Sequence, residues 1–175
     1  MVTITISGTP GSGKTTVAKL LEEKTQINYI YSGMIFRDLA KKYKMNLEEF
    51  GKYCEKNSKV DKELDEKQLE ILKKGNVILE GRLAGWIAYN NKISAIKVMI
   101  DTDIKTRAQR IVKREEGNAK TREKEIIKRE KSEQTRYKNY YNIDLNDTSI
   151  YDLVVDSKNL SPDEIVDLII KKING

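Results

Sequence analysis

The sequence predicts an α/β fold in which a parallel sheet is covered by helices on both faces. Three observations predict it. Short, nearly continuous apolar runs rich in β-branched residues recur along the chain, as strands buried on both faces do. Stretches with apolar residues at helical spacing separate these runs. The first run also passes straight into a glycine-rich turn and then a helical pattern, the order of a βα unit.

The elements follow in order. V-T-I-T-I-S (2–7) is β-branched and ends at glycine, which reads as a strand. Residues 15–24 place Val17, Leu20 and Leu21 on one helical face. A second strand is expected at 27–31, then helices near 34–43, 46–56 and 60–74. Asn46 with Glu49 three residues on signals a helix start, and Gly75 a helix end. Strands follow at 76–79, 96–100 and 153–155, with helices near 103–115, 121–138 and 162–173. Ser161-Pro162-Asp163-Glu164 supplies a cap, a first-turn proline and a capping-box glutamate to the last of these. Neither a repeat nor a linker interrupts 1–175, so one domain is expected, with a turn near Gly117-Asn118.

Composition narrows the chemistry. Of 175 residues, 38% are hydrophobic and 34% charged, with only 2 Pro, which excludes collagen-like and low-complexity chains. No apolar stretch approaches the roughly 18 residues of a membrane helix, and no leader is expected. Cys54 is the sole cysteine, so an intracellular, cytoplasmic setting is expected. With 0 His and one Cys, no zinc site is expected, and imidazole acid–base chemistry is excluded.

The net charge of +6 is concentrated. Residues 105–138 hold 13 Lys and Arg against 6 Asp and Glu, whereas the rest of the chain is near neutral. Six of the 8 Arg lie there: Arg107, Arg110, Arg114, Arg122, Arg129 and Arg136. A chain that otherwise prefers lysine keeps arginine where a planar fork is needed, as for phosphate. Arg107, Arg110 and Arg114 share one helical face, and Arg122, Arg129 and Arg136 form a seven-residue stripe braced by Glu133. Two such helices joined at Gly117-Asn118 suit a lid over 105–138 that closes on phosphates, with Arg110, Arg114, Arg129 and Arg136 stabilising a transferring phosphoryl group.

Gly8-Thr9-Pro10-Gly11-Ser12-Gly13-Lys14-Thr15 matches G-x-x-x-x-G-K-[ST]. Its glycines let backbone amides turn inward around a phosphate, and the following helix aims its positive end at the same anion. Lys14 would reach the terminal phosphates and the Thr15 hydroxyl would ligate Mg²⁺. The motif therefore implies a nucleoside triphosphate, and the D-x-x-G and N-K-x-D signals of GTPases are missing. The strand at 76–79 instead runs into Glu80-Gly81-Arg82, where Glu80 can hold a magnesium-bound water and Arg82 can grip an acceptor phosphate. Ser32 and Arg37 follow the second strand, and ligands of open parallel sheets gather at these strand ends. The pattern implies a kinase with a second anionic substrate.

S-G-M-I-F-R (32–37), E-G-R-L-A-G-W (80–86), R-E-K-S-E-Q-T-R-Y (129–137) and S-I-Y-D-L-V-V-D (149–156) resemble the archaeal type of cytidylate kinase, nearly end to end. The resemblance implies the P-loop nucleoside-monophosphate-kinase fold, a five-stranded sheet of order 2-3-1-4-5 with a lid, and phosphoryl transfer from ATP to CMP or dCMP. It implies that residues 8–16, Thr16 included, bind ATP phosphates. Ser32, Arg37 and Arg82 would bind the monophosphate, and Arg129, Glu133 and Arg136 would face substrate phosphate and sugar. Leu83 stands where bacterial relatives carry an aspartate that helps read cytosine, so the base must be read elsewhere. Asp61, Asp65 and Gln68 are candidates, with a charged solvent face as their alternative. The partners expected are small molecules, without nucleic acid or membrane, acting on a monomer.

Other readings stay open. Another monophosphate (UMP, dTMP or AMP) fits the same residues, and an RNA-stimulated ATPase would use the basic segment instead. Trp86 is expected to pack its indole on the sheet rather than stack on a base, and Asp101 to cap the next helix. Tyr137, Tyr140 and Tyr141 either anchor the lid or touch the adenine.

Overall fold

The computed structural model describes residues 2–175, without the surroundings of residues 47, 48, 51, 55 and 61. The β-branched opening forms β1 (Ile4–Gly8), buried along its whole length. Four more strands join it: β2 (Asn28–Tyr31), β3 (Val77–Glu80), β4 (Ile96–Asp101) and β5 (Leu153–Asp156). All pairings are parallel and the order is β2-β3-β1-β4-β5, the order the resemblance implies. The registers set Tyr31 beside Glu80, Ile6 beside Glu80 and Gly8 beside Ile100. Tyr31, Glu80, Gly8 and Asp101 therefore line one rim, at the carboxyl ends of four adjacent strands.

Alternation within the strands divides the core. Ile4, Ile6, Ile78, Val98 and Ile100 turn toward α1 (Lys14–Thr25) and the C-terminal helix over Pro162–Asn174, meeting Val17, Leu21, Ile165 and Ile169. The opposite face carries Val77 and Leu79 against Trp86 and Ile87 of the short helix over Ala84–Asn90. Ser7 on that face accepts a hydrogen bond from Gly85 N at 3.1 Å. Trp86 is buried there, as expected.

Three further helices form a satellite lobe: α2 (Ser32–Lys42), α3 (Leu47–Lys56) and α4 (Ser58–Lys74), packed around Leu39, Phe50, Cys54 and Val60. Asn46 and Glu49 form the reciprocal capping box read from the sequence. Next, α5 (Ala84–Asn90) leads through β4 to a helical hairpin, α6 (Ile104–Glu115) and α7 (Ala119–Tyr141). Ala108, Ile111 and Ile126 hold the hairpin together. The chain closes with α8 (Pro162–Asn174), opened by the Ser161–Glu164 capping box.

Several boundaries differ from expectation. Helix α2 begins at Ser32, directly on the end of β2, and α4 begins at Ser58. Helix α7 runs from Ala119 to Tyr141, because Asn118 caps it through Lys120 N and because Tyr137 and Ile143 pack its last turn on the core. Asp103, not Asp101, caps α6, accepting from Thr106 N at 3.0 Å. No described helix is long and apolar enough to cross a membrane.

Candidate active site

The turn between β1 and α1 is built from outside. Arg107 Nη1 donates to Pro10 O at 3.4 Å, and Arg110 Nη1 donates to Ser12 O at 3.1 Å. Ser157 Oγ donates to the same Ser12 oxygen at 2.8 Å, and Arg110 Nη2 holds Ser157 O at 2.6 Å. In a trans peptide the carbonyl and the next amide point in opposite directions. Drawing the Pro10 and Ser12 carbonyls outward therefore aims the Gly11 and Gly13 N–H groups at the hollow of the loop. Helix α6 lies so close that a Cβ on residue 11 would sit 2.9 Å from Arg107 O, and Gly11 has φ +81°, so glycine is required there. Asp101 accepts from Thr9 Oγ1 and pins the loop's other limb, which is its role in place of the cap expected of it.

Lys14 Nζ donates to Thr9 O at 2.8 Å. Burial brings its pKa down to about 8; Glu80 opposes the shift, while Arg82 and Arg129 add to it. Three cations around one hollow, with amides aimed into it, make a site for a polyanion.

Glu80 is 2% exposed at the end of β3. One of its oxygens accepts from Thr15 Oγ1 at 3.0 Å and the other from Tyr29 Oη at 2.5 Å. Burial, and then Glu80, push the Tyr29 hydroxyl well above the usual phenol range, so it stays a donor. Among the described residues no three His, Cys, Asp or Glu cluster as a cation cage. One fixed carboxylate beside a threonine hydroxyl and a phosphate hollow suits Mg²⁺, which keeps most of its waters and takes its other ligands from phosphates.

On the far side of the rim, Glu133 of α7 joins two arginines. Arg82 Nε donates to one oxygen at 2.6 Å and Arg129 Nε to the other at 2.8 Å. Arg82 and Glu133 side chains are only 13% and 9% exposed, whereas Arg129 is 62% exposed and reaches toward solvent. Burial works to raise the Glu133 pKa, but Arg82 and Arg129 outweigh it and hold it below the ordinary carboxylate value. Arg136 lies 5.0 Å over the Tyr137 ring and donates to its hydroxyl at 3.1 Å.

The structure thus gathers Lys14, Thr15, Glu80, Arg82, Arg129 and Glu133 around one hollow, with Ser32 beside Gly81 on the same rim. Arg37 is exposed at the start of α2, its guanidinium 5.8 Å from the Tyr31 ring centroid, at the mouth rather than within the cluster. Two of the predicted residues lie away from the hollow. Arg114 is 67% exposed and pairs with Glu115, because α6 turns it away from the loop. Arg110 faces the loop's carbonyls rather than its hollow. Arg122 staples the turn, donating to Glu116 O at 3.2 Å and to Glu125.

Tyr141 donates to Asp65, and Tyr137 is buried in the core, so these tyrosines anchor the base of α7. Gln68, read alternatively as part of a solvent face, is 3% exposed. The Asp61 side chain lies outside the described residues. Sequence reasoning missed Tyr29, Asp101 and Ser157 as parts of the site. Only Tyr29 left a signal, a polar-tipped ring in the second strand, and it shares that signal with Tyr31.

A family model for the cytidylate kinase-like family matches residues 3–159. The chain belongs to that family. A cytidylate kinase from Methanococcus vannielii is 46% identical over 171 residues, covering 97% of this chain and 98% of its own. One from Methanocaldococcus jannaschii is 44% identical (98% and 97% covered), and one from Pyrococcus horikoshii is 42% identical (93% and 83%). Among solved structures, a protein from Eubacterium ventriosum superposes with TM-score 0.74 at 23% identity, covering 100% of this chain and 99% of that one. A shikimate kinase from Bacteroides thetaiotaomicron superposes at 0.67 with 14% identity, each chain 99% covered. These two likenesses show the fold: a five-stranded parallel sheet with helices on both faces. As a member of the cytidylate kinase-like family, the protein is a phosphotransferase of the nucleoside-monophosphate-kinase type.

Proposed function

We propose that this cytidylate kinase-like protein transfers the γ-phosphoryl group of ATP to CMP or dCMP, giving CDP or dCDP. The observation that carries the reading is the pair of cationic walls across one rim. Lys14 and the loop amides form one wall and the Arg82–Glu133–Arg129 cluster the other.

Each residue then has a task. The Gly11 and Gly13 amides and Lys14 hold the triphosphate and take up charge as it shifts toward the bridging oxygen. Arg82, fixed by Glu133, holds the acceptor phosphate, and Ser32 and Arg37 guide it in from the mouth. An oxygen of that phosphate, already anionic, attacks in line. Its bond to the γ-phosphorus forms as the β–γ bridge breaks and ADP departs, so no general base is required. Thr15 and, through water, Glu80 would hold Mg²⁺, which would neutralise phosphate charge. Arg129 and Arg136 of α7 approach the transferred group as the hairpin closes and excludes water. In the same reading the protein works as a cytoplasmic monomer on small molecules, not on nucleic acid.

The test is ADP production from Mg·ATP with CMP, dCMP, UMP, AMP and dTMP in turn, plus acceptor-free and RNA controls. CMP and dCMP should exceed every other acceptor by at least about tenfold in kcat/KM. Preference for another monophosphate would move the specificity but keep the mechanism. Acceptor-free hydrolysis stimulated by RNA would overturn both.

A further inference from the structure

Gln68 of α4 is buried, and its amide has two different surroundings. Its Nε2 donates to Asp65 Oδ1 at 3.1 Å. Its Oε1 is buried with no hydrogen-bond partner among the described residues. A buried acceptor left unmade is costly and marks a place where a donor belongs. That oxygen lies against the rim: a Cβ built on Gly81 would be 3.0 Å from Gln68 Oε1 and 2.8 Å from Ser32 Oγ. Gly81 and Ser32 flank Arg82 and the start of α2, where the acceptor nucleotide is placed above. Ser32 is half-buried beside the same Gly81.

The amide is also locked. Asp65 offers only lone pairs, so it accepts from an N–H and repels a carbonyl oxygen. Its second oxygen accepts from Tyr141 Oη at the end of α7. With both carboxylate oxygens engaged, flipping Gln68 would set oxygen against oxygen. The rim therefore meets a fixed acceptor and never a donor.

We propose that Gln68, oriented by Asp65 and Tyr141, is the residue that reads the base, accepting a hydrogen bond from the 4-amino group of a 4-aminopyrimidine nucleotide. A 4-oxo pyrimidine in the same pose sets its O4 against Gln68 Oε1 and is rejected, because the lock forbids the flip that would accommodate it. This assignment rests on the substrate reading above and names the group that enforces it. Specificity is here built by a positioning chain that touches the reacting atoms nowhere, with Asp65 and Tyr141 acting through Gln68.

The experiment measures kcat/KM for CMP and UMP, with the KM for ATP, in the wild-type protein, Gln68→Leu and Asp65→Asn. Gln68→Leu should cut CMP kcat/KM by about tenfold to a hundredfold while UMP changes little, collapsing the ratio at constant ATP KM. Asp65→Asn, which can donate as well as accept, releases the flip and should raise UMP relative to CMP by about tenfold. If Gln68→Leu does not fold, the Asp65→Asn ratio decides. A wild-type preference for CMP that both variants keep, or an equal fall for both acceptors, overturns the assignment alone. A wild-type protein that does not distinguish CMP from UMP overturns the substrate reading and this assignment together.

Discussion

Replacing Glu133 with glutamine tests the charge cluster most directly. The carboxylate is 9% exposed and receives Arg82, itself 13% exposed, at 2.6 Å. Breaking a pair desolvated to this degree costs about 3–5 kcal/mol, because the remaining guanidinium stays buried without its counter-charge. Glutamine keeps one oxygen in place to accept from Arg82 and recovers part of that. The bond from Arg129, whose side chain is 62% exposed, adds under about 1 kcal/mol. The expected loss is about 2–3 kcal/mol, which for a chain of this size lowers Tm by about 5–10 °C at pH 7. The pH dependence has a definite sign. Glu133 titrates lower in the folded state than in the unfolded chain, so its contribution is whole above about pH 4.5 and is lost as pH falls through the folded value. Thermal melts of both proteins from pH 3 to pH 8 should show a constant gap above about pH 5 that closes in acid. The monophosphate KM should rise as well, because Arg82 loses its brace. Equal Tm at pH 7, or a gap that widens in acid, would refute the reasoning.

Four further outcomes follow from the same geometry. Lys14→Ala should lower kcat by about a thousandfold or more while Tm stays level or rises, since a cation whose pKa burial depresses is removed; a stopped-time assay and a melt check both. Tyr29→Phe should raise the Mg²⁺ concentration for half-maximal rate by about tenfold without moving the monophosphate KM, because Glu80 loses one of its two donors. Gly8→Ala should cost about 3 kcal/mol or more in urea unfolding, since its Cβ would meet Ile100 O at 2.0 Å and part β1 from β4. Arg114→Ala should change kcat and both KM values by less than about threefold, in keeping with its solvent-facing pair with Glu115.

The sheet was legible because burial on both faces writes parallel strands as plain apolar runs. The phosphate loop was legible because its glycine and lysine spacing is demanded by the anion. Glu80, Arg82 and Glu133 stood out by type and place: a carboxylate and an arginine at a strand end, and an acid inside a basic stripe. Tyr29, Asp101 and Ser157 did not, because their contacts exist only once strand order and register bring β2, β4 and β5 to the loop. The sorting of the arginines was hidden for a related reason. Spacing of three and then four along α6 says that Arg107, Arg110 and Arg114 share a face, but the contact with the loop buries the first and leaves the last in water.

The link from Ser157 to Ser12 crosses 145 residues of chain. Because Arg110 and Ser157 together draw the Ser12 carbonyl outward, the hollow at the start of the sequence takes its shape only when the segment after the last strand is in place. On the ribosome, a chain that has emerged only through its first helix already carries every residue of the glycine-rich motif but lacks Arg110 and Ser157, the two side chains that hold the Ser12 carbonyl outward. The outer bracing of the loop is therefore complete only once the segment after β5 has docked.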